Sequence, residues 1–278
     1  MKTAAGLEKA LERHRERVRK RHRVRNAAGL VELVDDFGFC FAFTLRPGDA
    51  ALPACFDHLS TNDESRKWGW MWGWKDELPL QDRLYYGTLL VRKPTFVSMK
   101  MLPVFYATFG RAGEPDEHLD DVRAGRVSDV GRRVIEFLGQ RGETQTKRMR
   151  AELGIASREG KLIYDRAIDE LQRLMYATRV RAVGEDRESY NYTYDLFVRR
   201  YPEVVKAALH ISSTEAATRL LARAIELAGA LTPRQTQKLF DWDEERVVRT
   251  AAKLEGSRKL ARARSGRDEL LVLPGLVA

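Results

Sequence analysis

The chain has 278 residues, 44% of them hydrophobic, with a formal charge of +9 and a pI near 9.6. That length can bury real cores in two or three small domains, and the basic balance points to an anionic partner. No apolar run approaches the ~18 residues that span a bilayer, and no apolar leader is visible, so a cytoplasmic protein with no membrane role is expected.

The charge is unevenly placed. Residues 7–25 hold nine Lys or Arg against three Glu, which puts +6 of the +9 in one segment. Its large apolar residues, Leu7, Leu11, Val18 and Val24, are too few for a core-facing stripe. Glu8, Glu12 and Glu16 among the arginines still favour a helix through i,i+4 pairs. Residues 1–26 therefore read as a basic arm: either a contact for phosphates, blind to sequence, or a solvated terminal helix.

Gly29–Asp36 is compatible with a helix. Beyond it Phe37, Phe39, Phe41 and Phe43 alternate with Gly38, Cys40 and Ala42, which is strand periodicity. The two cysteines, Cys40 and Cys55, sit in apolar surroundings and read as buried, reduced thiols. Glu32, Asp35 and Asp36 are either a helix terminus or solvated turn, or an acid-base set.

Arg66–Lys75 (RKWGWMWGWK) holds four of the five tryptophans. Extended, it would put all four indoles on one face and leave the glycine face open to close approach. Helical, it would pair Trp68 with Trp72 and Trp70 with Trp74. Flanked by Arg66, Lys67 and Lys75, such a platform can stack bases through Trp70 and Trp72; core packing is the alternative. Leu84–Phe109 predicts a hairpin with its turn at Arg92-Lys93-Pro94, then a short helix opened by Pro103. The polar stretch that follows predicts a linker at 111–127.

From Val130 to Tyr201 the pattern gives helices at Val130–Gly139, Thr144–Leu153 and Arg158–Tyr176, then two strands around Gly184. That is the order of a winged helix-turn-helix. On the third helix Leu162, Ile163, Ala167, Leu171 and Leu174 should face the core, leaving Arg158, Lys161, Asp165 and Asp169 outward. Arg158 and Lys161 are the groove candidates, Lys147 and Arg148 hold phosphate at the second helix, and Arg181 and Arg187 lie near the wing tip. The two outward acids would repel phosphates, so a backbone clamp fits better than deep insertion. A second copy of the order follows from Ser213, with Arg234, Lys238, Arg246, Arg258 and Arg262 as its contacts. Winged helices also serve as protein-protein modules, the competing reading.

The expected fold is mainly α with small β-hairpins (α+β), built as tandem winged helix-turn-helix units. The first unit spans 27–110 and includes the Trp-rich segment; the second spans 128–203 and the third 213–278.

Three stretches resemble the AlkZ-like (YcaQ-like) bacterial DNA glycosylases: Leu84–Ala107, Lys67–Leu78 (KWGWMWGWKDEL) and Ser189–Glu203 (SYNYTYDLFVRRYPE). The resemblance covers about residues 27–278. It implies tandem winged helices, double-stranded DNA, damaged or intact, as partner, and hydrolysis of the N-glycosidic bond of alkylated purines. The family carries a Gln-x-Gln or Gln-x-Asp motif in the first unit. Where it should fall, this chain reads Leu30-Val31-Glu32-Leu33-Val34-Asp35-Asp36, without glutamine. A carboxylate can also activate water or stabilise an oxocarbenium-like sugar, which makes Glu32, Asp35 and Asp36 conditional catalytic candidates. A non-catalytic regulator or repair scaffold is the alternative, and RNA binding a weaker one. The five scattered histidines lack ligand spacing, so no metal and no cofactor is expected, and a monomer is favoured.

Overall fold

The computed structural model describes residues 4–44, 52–184 and 190–277. Three times the chain runs helix, short strand, a helical segment or turn, helix, hairpin. In the first round these are α2 (Ala27–Phe37), β1 (Phe39–Phe41), a 3-10 turn (Cys55–His58), α3 (Glu64–Leu80), β2 (Leu84–Leu90) and β3 (Lys93–Ser98). Two short helices follow, α4 (Leu102–Ala107) and α5 (His118–Arg123). The second round is α6 (Asp129–Arg141), β4 (Thr144–Gln145), α7 (Thr146–Glu152), α8 (Arg158–Arg173), β5 (Ala177–Val183) and β6 (Asn191–Leu196). After α9 (Phe197–Arg200) and α10 (Pro202–Ala208) comes the third: α11 (Ser213–Ala228), β7 (Ala230–Leu231), α12 (Pro233–Phe240), α13 (Glu244–Gly256), β8 (Ala261–Ser265) and β9 (Asp268–Val272).

Each round closes one antiparallel three-stranded sheet with the same order, β1-β3-β2, β4-β6-β5 and β7-β9-β8. The last strand of each hairpin returns beside the short strand, as in a winged helix. Local chemistry repeats as well. The third helix of every round starts at a capping side chain: Asp63 accepts from the Arg66 N–H, Ser157 from Gly160 and Asp243 from Arg246. The first hairpin turns at Val91 and Arg92, both at positive φ, the geometry that matches strand twist in a two-residue loop. Val91 is an awkward residue there. Its N–H is fixed by the Leu239 carbonyl at 3.3 Å, so the third round holds the turn of the first.

The first and third rounds share one core running from Val18 through Phe37, Phe39, Phe96 and Tyr106 to Leu220, Leu239 and Leu254. The middle round has its own, around Val134, Leu138, Tyr164, Leu171 and Tyr194. Its exit is nevertheless woven into the main core through Phe197, Tyr201 and Val204.

Several expectations are corrected. The basic segment is α1 (Ala4–Lys20), a docked helix rather than a solvated arm. Leu7 and Leu11 pack on Ala230, Val272 and Leu276, and Val18 enters the main core. Stretch 111–127 is no loose linker: it carries α5, and Arg111 lies on the Tyr176 ring 3.9 Å from its centroid. The phenylalanine strand shrinks to Phe39–Phe41, because Phe37 closes α2 and both faces are buried, Cys40 as fully as its neighbours. The stripe of α8 is rotated: Leu162 and Ile163 are 59% and 41% exposed, while Tyr164 and Ile168 are buried. Asp169, expected outward, is half-buried against the first hairpin, where burial raises its pKa against the pull of Arg179. The thiols do follow expectation, free and buried.

Candidate nucleic-acid interface

The tryptophan segment is helical. Met71, Trp74 and Leu78 face the core at i, i+3 and i+7, which leaves Trp68 and Trp72 outward, one turn apart, 51% and 54% exposed. Trp68 is backed by Phe43 (5.5 Å, stacked) and Phe56 (4.7 Å). Trp70 stacks on Trp74 at 5.3 Å, with the Arg66 guanidinium 5.8 Å from its ring. Core packing and surface platform, posed as alternatives by the sequence, each take half of the indoles. The glycines lie beside the outward pair, and a Cβ at Gly69 would meet nothing within 4 Å.

Trp72 rests on the wing of the middle round. Its ring lies 5.3 Å from Tyr190, and the Lys75 ammonium sits 4.1 Å from its centroid. Lys75 is 2% exposed and donates to both Asp76 oxygens (2.8 and 2.9 Å), to the Tyr192 hydroxyl (3.1 Å) and to Tyr190. Tyr190 in turn donates to Asp76 at 2.6 Å. Burial, reinforced by that bond, holds the Tyr190 phenol protonated well above its ordinary range. Beside it the Arg179 guanidinium lies between the rings of Tyr192 (4.3 Å) and Tyr86 (5.2 Å) and donates to the Tyr194 hydroxyl at 3.3 Å. Cations enclosed by aromatic rings and hydroxyls keep their charge without reaching solvent. Lys75 is therefore a clamp between α3 and the wing, not the DNA contact its basic flank suggested.

The other candidates divide similarly. Arg246 is half-buried over Trp242 (4.9 Å) and donates to the Thr108 carbonyl (2.8 Å), an internal brace. Arg262 is held between Glu255 and Glu269, Arg181 by Glu143, Arg148 by Glu152, Lys161 by Asp165 and Lys67 by Glu64. All but Lys67 of these remain at the surface, together with Arg66, Arg92, Lys93, Lys147, Arg158, Arg234, Lys238 and Arg258. Arg187 lies outside the described residues. Of the carboxylates, Glu32 and Asp35 point outward on α2, while Asp36 is paired with Arg21 and His22, each at 2.8 Å. The three share a helix but not a focus.

Sequence reasoning missed Asp76, Arg179, Tyr190 and Tyr192. The Tyr190-Asn191-Tyr192-Thr193-Tyr194 alternation was the available signal, since period two puts its tyrosines on one face of the wing. Nothing local joins that face to Lys75.

The family model for AlkZ-related proteins matches residues 24–241. The chain belongs to the AlkZ-related family. Among solved structures, the DNA glycosylase AlkZ of Streptomyces sahachiroi superposes with a TM-score of 0.58 at 11% identity, covering all of this chain and 73% of that one. At that identity the likeness speaks for the fold. No curated protein matches the sequence. Within the matched segment, α3 and the middle wing bring Trp72, Tyr190 and Tyr192 together, and α1 begins ahead of it.

Proposed function

We propose that this protein binds double-stranded DNA and recognises alkylated base pairs, acting in DNA repair. The observation that carries the reading is the pair of outward indoles, Trp68 and Trp72, on a helix that also exposes Arg66 and is locked to the middle wing by Lys75. An N7-alkylated purine is cationic. Indole faces attract a cation by ~0.5–2 kcal/mol and stack on an unpaired base by ~1–3 kcal/mol, so the same surface favours a charged, loosened base over an intact pair. The surface cations of α7, α8 and α12 supply the lesion-blind grip on phosphates.

Excision of the base is the second reading, supported by membership of the AlkZ-related family. Its candidates are Glu32 and Asp35, whose carboxylates are exposed, and Asp36 once released from Arg21 and His22. One experiment separates the readings. Wild type and the Glu32→Gln, Asp35→Asn and Asp36→Asn variants are incubated with duplex carrying N7-methylguanine, and base release and affinity are measured beside undamaged duplex. Recognition predicts tighter binding of the damaged duplex, and equal affinities refute it. Excision predicts release by wild type that at least one variant loses. No release by wild type removes the enzyme reading, and unchanged release in all three variants removes these carboxylates.

A further inference from the structure

We infer that α1 is a second, rigid contact for the phosphate backbone of the duplex, independent of the aromatic helix; the inference rests on the duplex-DNA reading above. Leu7, Leu11, His14 and Val18 make its inner face. His14 Nε2 meets the Glu226 carbonyl at 2.8 Å, and the Arg15 Nε donates to the Ala228 carbonyl at 3.2 Å, so α1 is tied across the C-terminal end of α11. A basic sequence that alone would be a floppy tail is thereby held as a rod.

The opposite face carries the charge. Lys9, Arg13, Arg17 and Lys20 recur at i, i+4, i+8 and i+11 and are all exposed, a row ~17 Å long at ~1.5 Å per residue. A duplex presents one negative charge per ~1.7 Å of axis, so the row matches a polyanion better than any single anion. Of the neighbouring acids, Glu16 pairs with Arg19 and with Lys20 of the row, Glu8 accepts from the Ser265 hydroxyl at 3.1 Å, and Glu12 is exposed beside the row, which keeps a net positive charge. Among the described residues Lys9, Arg13 and Arg17 have no ion pair, nor do Arg23 and Arg25, both exposed, just after the helix. Arg13, Arg17 and Lys20, with Glu12 and Glu16, also line an open groove of about 1360 Å³ that reaches Gly275 and Leu276. A helix fixed by its apolar face, with Lys9, Arg13 and Arg17 left without an ion pair along its outer face, is poised for a partner that brings opposite charges at short, regular intervals. Duplex DNA does so.

The test is the salt dependence of binding to an undamaged duplex for wild type and for the variant Lys9→Gln/Arg13→Gln/Arg17→Gln/Lys20→Gln. The changes are on the exposed face, and a thermal melt confirms that both proteins are folded. Each lost phosphate contact removes ~0.9 from the slope of log K against log salt, so full engagement lowers the slope by about 3.6. The wild-type advantage then shrinks about 150-fold between about 50 and about 200 mM salt. The ratio of damaged to undamaged affinity stays the same, because α1 does not see the base. A slope within about 0.9 of wild type overturns the inference while leaving the proposed function standing. A folded variant that loses lesion preference overturns the claim of independence. A wild type that binds no duplex overturns both readings.

Discussion

Replacing Lys75 by Met distinguishes a buried clamp from a DNA contact. The ammonium is 2% exposed and its three N–H groups face four acceptors, two oxygens of Asp76 and the hydroxyls of Tyr190 and Tyr192, beside the Trp72 face. Met fills the stem's volume but leaves Asp76, only 21% exposed, with the Tyr190 hydroxyl and no cation. Breaking one partner of a buried pair costs about 3–5 kcal/mol, and the partial access of Asp76 to water places the loss near the lower figure. At about 2–4 °C per kcal/mol for a chain of this size, the melting temperature falls by roughly 6–12 °C. Far-UV circular dichroism reads the melt, and fluorescence anisotropy at several salt concentrations reads DNA binding below it. The salt slope should not change. Lys75→Met/Asp76→Leu should recover much of the loss, since an apolar pair can replace a buried ion pair at little cost. A Lys75→Met protein that melts within about 2 °C of wild type while its salt slope drops by ~0.9 refutes this reasoning and returns Lys75 to the DNA surface.

Trp68→Ala and Trp72→Ala should each lower the melt, since Trp68 packs on Phe43 and Phe56 and Trp72 on Tyr190 and Lys75, and, measured well below that melt by competition binding, lower the preference for N7-methylguanine duplex by ~1–3 kcal/mol. Gly69→Ala should stabilise the helix by ~0.5–1 kcal/mol, because its Cβ meets open space; a simultaneous fall in DNA affinity would show that the duplex lies on that face. Leu162→Ala should cost under ~0.5 kcal/mol and Tyr164→Ala ~3–5 kcal/mol in urea denaturation, and the reverse order would restore the stripe read from the sequence. Burial of His58 lowers its imidazole pKa, so the folded protein binds that proton less readily than the unfolded chain. The resulting stability is complete above the unfolded value of ~6.5 and is lost as pH falls through the depressed folded value. His58→Gln should flatten the stability profile below pH ~6.5, and an unchanged profile would show that His58 does not carry it.

How much could be read in advance varies with the range of the interaction. The helices of the middle round and the turn of the first hairpin are local, and they appear within a few residues of their expected places. The register of α8 was misread because Leu162 and Ile163 look like core residues by composition. Tyr164 and Ile168 are the inner pair because Val134, Ile135 and Leu138 of α6, Met149 of α7 and Ala177 and Tyr194 of the middle sheet close over that side of the helix. α1 was misjudged for a related reason: two leucines and a valine are a thin stripe for a free helix but sufficient once β7, β9 and α11 meet them. The candidate site shows the same limit more sharply. Four basic residues, Arg66, Lys67, Lys75 and Arg246, look alike in the sequence. Partners 115 residues away bury Lys75, and the Thr108 carbonyl, 138 residues back, turns Arg246 inward.

The middle round is fastened at both its ends, by Arg111 on the Tyr176 ring at its entry and by Phe197 and Tyr201 in the main core at its exit. Swinging it relative to the first round would mean opening both fastenings and unlocking Lys75. The spacing between the outward indoles, the third helices and α1 therefore acts as a fixed gauge. Under the proposed reading, the compliant body against such a gauge is the DNA: a tract that bends or unstacks cheaply reaches every contact, and a stiff, intact one stops short. Discrimination then requires no closing of the protein, only the mechanical weakness of the duplex under it.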